Sequence, residues 1–103
     1  MSLVRVLDEV AQELEAAVAY LEREREGYGF VLLDEYEAKL RQIQRFPRGA
    51  PLSRDVPERY EFRAFKLKRF RYSMIVGELD GVLTLVAFAH HSRAPGYWRE
   101  RLK

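Results

Sequence analysis

The sequence predicts an α+β fold with the element order β-α-α-β-β-β, in which a curved antiparallel sheet packs on an N-terminal helical hairpin. Three observations carry this reading. Two successive stretches before Pro47 repeat apolar residues at helical spacing and are parted by Gly27 and Gly29. Three strand-like runs fill the second half, the last two joined by Asp80-Gly81, the dipeptide of a two-residue hairpin turn. The final run, VLTLVAFAH (82–90), is apolar on both faces, which places it centrally in the sheet.

The chain opens with LVRVL (3–7), rich in branched residues and suited to a strand. Asp8 is placed to cap a helix. Leu7, Val10, Ala11, Leu14, Ala17, Val18 and Leu21 then form an apolar stripe with glutamates between them. Glu13 falls on the outer face of this helix, where replacement by alanine is expected to change stability by about half a kcal/mol or less. EGYGF (26–30) breaks the helix. In the second helix Phe30, Leu33, Tyr36, Leu40 and Ile43 are expected on one face, with acidic residues early and basic residues late. Pro47 ends it. PRGAPLSRDVPER (47–59) holds three of the four prolines and reads as an exposed loop.

The runs YEFRAFKLKRF (60–70) and RYSMIVGEL (71–79) are the first two strands of the antiparallel set. The former has apolar residues of both parities: Tyr60, Phe62 and Ala64 on one, Phe65 and Leu67 on the other. Either a bulge switches the face, or both faces are covered, the second by something outside the chain. The second option makes Phe62, Lys66, Lys68 and Phe70 candidates for contact with a partner protein.

A length of 103 residues allows one domain, 1–103. The absence of cysteine excludes disulfides, thiolate metal sites and cysteine nucleophiles. No secretory leader and no membrane-spanning run is visible, so a cytoplasmic protein with no membrane partner is expected. The net charge of +2 hides a split: residues 1–47 carry six basic and ten acidic side chains, residues 48–103 twelve and six. The basic half points to a partner with negative charge, unless each half simply solvates itself.

The histidines His90 and His91 are neighbours and would face opposite sides of a strand, so no metal is expected, and no other cofactor. Ser92 beside His91 has no nucleophile elbow around it. More informative is the basic cluster Arg63, Lys66, Lys68, Arg69 and Arg71 among aromatics, followed by Arg93, Arg99, Arg101 and Lys103 in the tail. Such a surface can bind phosphate backbone or an acidic protein segment, or it can be a solvated sheet edge. If the chain is a metal-independent ribonuclease, the candidates for base, phosphate-binding cations and acid are Lys66, Lys68, Arg71, His91, Arg93 and Tyr97. The alternative is a binding surface in which exposed Arg93, Tyr97, Trp98 and Arg99 grip a target. A further option folds Trp98 back on the sheet as a small satellite core.

The segments EGYGF, IQRFP, FRAFKLKRFRYSMIV and VAFAHHSRAPGYWRER, with the glutamate-rich first helix, resemble the RelE/ParE superfamily of bacterial toxins from type II toxin–antitoxin modules. The resemblance covers nearly the whole chain, and KRFRY followed by AHHSRAPGYW is its most specific part. It implies a compact β-α-α-β-β-β toxin neutralised by a small cognate antitoxin. The RelE side implies ribosome-dependent cleavage of mRNA by scattered Lys, Arg and a late His or Tyr. The ParE side implies inhibition of DNA gyrase without that set. The ending AHHSRAPGYW is more similar to the ParE and plasmid-stabilisation side, so gyrase is the expected target and enzymatic activity is not expected. The ribosome and mRNA form the alternative target, and a non-toxic interaction module on the same fold is a third reading.

Overall fold

The computed structural model describes residues 3–102. Lys103, counted above in the basic tail, lies outside them. The elements follow in the predicted order: β1 (Arg5–Val6), α1 (Asp8–Glu24), α2 (Tyr28–Arg45), β2 (Arg63–Lys66), β3 (Tyr72–Leu79) and β4 (Val82–His90), with a 3-10 segment at Tyr97–Leu102. The sheet order is β1-β4-β3-β2. β2, β3 and β4 are antiparallel, but β1 pairs parallel to β4, so the sheet is mixed. β4 is the longest strand and has neighbours on both sides, which explains why its sequence is apolar throughout. Asp80 and Gly81 both have positive φ, 53° and 77°, the geometry that a two-residue turn of this type requires.

Asp8 does not cap α1. Leu7 holds the cap position, and Asp8 begins the first turn, where its charge complements the helix dipole. The break between the helices is fastened from inside the hairpin. The Glu22 carboxylate accepts hydrogen bonds from the Gly27 and Gly29 backbone N–H groups at 2.7 and 3.0 Å, which satisfies two donors at the start of α2. Gly29 also lets the helices approach closely, since a Cβ there would sit 2.9 Å from the Val18 carbonyl oxygen. This contact sets the rotation of α2. Its buried stripe is Gly29, Leu32, Tyr36 and Ile43, and Phe30, expected inside, is 71% exposed.

The sheet carries a core on each face. Against the helices lie Val10, Ala17, Leu32, Tyr36, Ile43, Phe65, Leu67, Phe70, Met74, Val76, Leu85 and Phe88. On the opposite face Val56, Phe62, Ile75, Val86, Ala87 and Trp98 form a second cluster. The mixed parity of residues 60–70 therefore has a simple cause. Phe62 and Ala64 face one core, Phe65 and Leu67 the other, and the alternation is regular. There is no bulge in β2 and no external cover is needed. The irregularity lies between β3 and β4, where the register shifts at Ile75/Val76. The partner-contact candidates are dispersed by this arrangement. Phe62 and Phe70 are buried in different cores, and only Lys66 and Lys68 are exposed.

The second core depends on a glycine. The Phe62 ring lies across Gly77 of β3, so that a Cβ on Gly77 would fall 2.2 Å from Cδ1 of that ring. Gly77→Ala is expected to push Phe62 off Trp98, whose ring centroid is 5.7 Å away, and to destabilise the fold by about 1–3 kcal/mol. An unchanged thermal midpoint would show that Phe62 is not seated there.

Candidate functional site

The edge where β2, β3 and β4 end brings together residues distant in sequence. Lys66 pairs in register with Ser73, and Ser73 with Ala89. The chain leaves β4 at His90, and the His91 backbone N–H donates to the Arg71 carbonyl at 2.9 Å. The two histidines part as strand geometry requires. His90 stacks edge-on to Tyr72 on the helix side, with centroids 4.9 Å apart, and its Nδ1 is 2.7 Å from Ser92 Oγ. His91 turns to the other side, where its Nε2 lies 2.9 Å from Ser73 Oγ. Among the described residues no three His, Asp or Glu side chains gather as a metal site.

A concavity of about 210 Å³ opens beside this pair. Ser53, Asp55, Ser73, His91, Arg93 and Tyr97 are among its lining residues. Partial desolvation of the ring pushes the otherwise exposed His91 imidazole below its ordinary pKa. The charges of Lys66, His90 and Arg71 act in the same direction, against a backbone hydrogen bond to Tyr72. The net effect favours the neutral form of His91.

Of the six nuclease candidates, Lys66, Arg71, His91 and Arg93 lie around this end of the sheet. Lys68 does not join them. The Glu35 carboxylate of α2 accepts hydrogen bonds from the backbone N–H groups of Lys68 and Arg69. This ties the β2–β3 turn to the helix, and Lys68 lines a separate groove with Asp34, Glu35 and Lys39. Tyr97 is half-buried, and its hydroxyl is taken up elsewhere: it donates to Glu13 of α1. Burial, the hydrogen bond to that carboxylate and its charge all push the Tyr97 phenol upward. The Arg93 guanidinium covers the Tyr97 ring at 3.8 Å.

The gripping set is also divided. Trp98 is 1% exposed, so the tail is not a free arm. It closes the second core, and only Arg93 and Arg99 of the four remain exposed. What the sequence did not reveal is the anchor of this tail. Arg101 reaches Glu13 with contacts of 2.9 and 3.1 Å and also donates to the Val86 carbonyl at 3.0 Å. Glu13 accepts in addition from the Phe88 backbone N–H at 3.0 Å. Beyond the two residues of β1, these side chains thus occupy backbone groups along the open edge of β4. The expectation that Glu13 is an outer-face residue of little consequence is overturned, because its side chain is only 14% exposed. Burial alone would raise its pKa, but the hydrogen bonds from Arg101, Tyr97 and Phe88 outweigh this and hold the carboxyl below its usual 4.5.

No helix of the described residues is long and apolar enough to cross a membrane. The chain matches no protein-family model and no curated protein.

Proposed function

We propose that this chain is the toxin of a type II toxin–antitoxin module, of the RelE/ParE kind, that acts by binding DNA gyrase and is neutralised by a cognate antitoxin. The resemblance of its sequence segments and its β-α-α-β-β-β layout support the general reading. One observation favours binding over cleavage. The nuclease candidates do not form one constellation, since the Tyr97 hydroxyl, the available proton donor, is committed to Glu13 and Lys68 belongs to another groove. What remains exposed at the sheet end is a set of cations, Lys66, Arg71, Arg93 and Arg99, suited to pairing with acidic groups of a partner. The antitoxin is expected to carry carboxylates that cover the same charges.

A second reading, ribosome-dependent cleavage of mRNA, is favoured by the position of His91, its pKa pushed downward, among those cations. Induction of the chain alone in a bacterium separates the two. The gyrase reading expects a DNA-damage response and filamentation, inhibition of supercoiling by the purified chain, and loss of both in Arg93→Glu with the thermal melt retained. Immediate translation arrest, with cleavage that falls by about two to four decades in His91→Gln, would replace it with the second reading. Unimpeded growth, with no protein from the adjacent gene co-purifying, would leave a non-toxic module.

A further inference from the structure

We propose that Ser73 is a nucleophile served by His91, and that the concavity beside them accepts the acyl group of a small anionic acyl donor. In the neutral His91 tautomer protonated at Nδ1, Nε2 is an acceptor, and the group 2.9 Å from it is Ser73 Oγ. In that tautomer the proton within reach of Nε2 is that of Ser73. A base within hydrogen-bond distance of a hydroxyl is the arrangement that activates a serine nucleophile.

The surroundings define the substrate class. Ser73 is only 7% exposed, yet it lines the concavity, so a reactant approaches it from that side. The volume of about 210 Å³ falls below the roughly 300–1,000 Å³ of sites for drug-sized ligands, which restricts the acyl group to a small one. Lys66 lies opposite Ser73 in register, and Arg93 lines the same concavity. These cations suit a donor with a negatively charged leaving group and the oxyanion that develops during attack. In the step, Ser73 Oγ forms a bond to the acyl carbon while its proton passes to His91 Nε2. The bond from that carbon to the leaving oxygen then breaks, and the oxygen departs with its electron pair, taking the proton from His91 where its basicity requires. Attack by water on the acyl-serine releases the acid and restores the hydroxyl.

The test is incubation of the full chain with acetyl phosphate, followed by peptide mass mapping. The expected result is acetylation of Ser73 that falls by about two to four decades in rate in His91→Gln and persists in Ser92→Ala, whose hydroxyl bonds His90 instead. His91 is exposed, so its replacement is expected to keep a cooperative melt within a few degrees of the parent. Acetylation confined to lysines, or Ser73 acetylation that is equal in the parent and His91→Gln, would overturn the proposal and leave the Ser73–His91 contact as a tie between β3 and the end of β4.

Discussion

Truncation after Arg93 is expected to abolish the cooperative thermal melt. The deleted residues include Trp98, 1% exposed against Phe62, Ile75, Val86 and Ala87, and Leu102, which packs on the same cluster. Without them the second core loses its largest side chain and the segment that carries it, leaving Val56 and Phe62 over that face of the sheet. Loss of a fully buried large aromatic alone costs about 3–5 kcal/mol, and a domain of this kind holds about 5–15 kcal/mol in total. The same cut removes Arg101 and Tyr97, leaving the Glu13 carboxylate without its side-chain partners. Trp98→Ala is the milder form of the experiment and should lower the midpoint while keeping a transition. A truncated chain that melts within a few degrees of the parent would mean that the second core contributes nothing. Any loss of biological activity on truncation must accordingly be read against folding, which the sequence alone would not have required.

Glu13→Ala is expected to cost about 3–5 kcal/mol, because it strands a largely buried guanidinium, a phenol hydroxyl and the Phe88 N–H at once. At roughly 4–8 °C per kcal/mol for a domain near this size, the midpoint should drop by more than about 10 °C. Replacing both ends, Glu13→Ala with Arg101→Met, should recover part of the loss, since no charge is then left unpaired. The ion pair also predicts a pH dependence. The folded pKa of Glu13 is depressed, so its contribution is complete above the usual value of 4.5 and disappears as pH falls through the lower folded value. The parent should therefore lose stability on acidification below about 4.5, and Glu13→Gln should lose less over the same range. Identical acid profiles for the two proteins, or a midpoint for Glu13→Ala within a degree or two of the parent, would remove the cluster from the energetics.

The candidate site was legible in part. Lys66, Arg71, His91 and Arg93 stand out by residue type, and the structure gathers them at one end of the sheet. Ser73 carries no local signal: it sits inside an apolar strand, and its partner lies 18 positions away. Tyr97 and Trp98 were visible as unusual residues after a proline-glycine turn, but large aromatics serve an exposed hot spot and a buried anchor equally well. The spacing of Lys66 and Lys68 gave no warning that Glu35 draws the backbone at Lys68 toward α2.

The order and type of the elements, the glycine break between the helices, the Asp80-Gly81 turn and the central position of β4 are all legible in local sequence. These rest on short-range causes: side-chain periodicity, backbone freedom at glycine, and the hydrogen-bonding limits of proline. What covers the second face of the sheet, the parallel pairing of β1 with β4, and the bond from Glu13 to Arg101 across 88 positions of chain come from long-range packing that no local signal marks. Periodicity marks a face as apolar, or a residue as charged, without naming the element that meets it. That choice is made when the chain closes on itself and each buried polar group takes a partner that folding brings within about 3 Å.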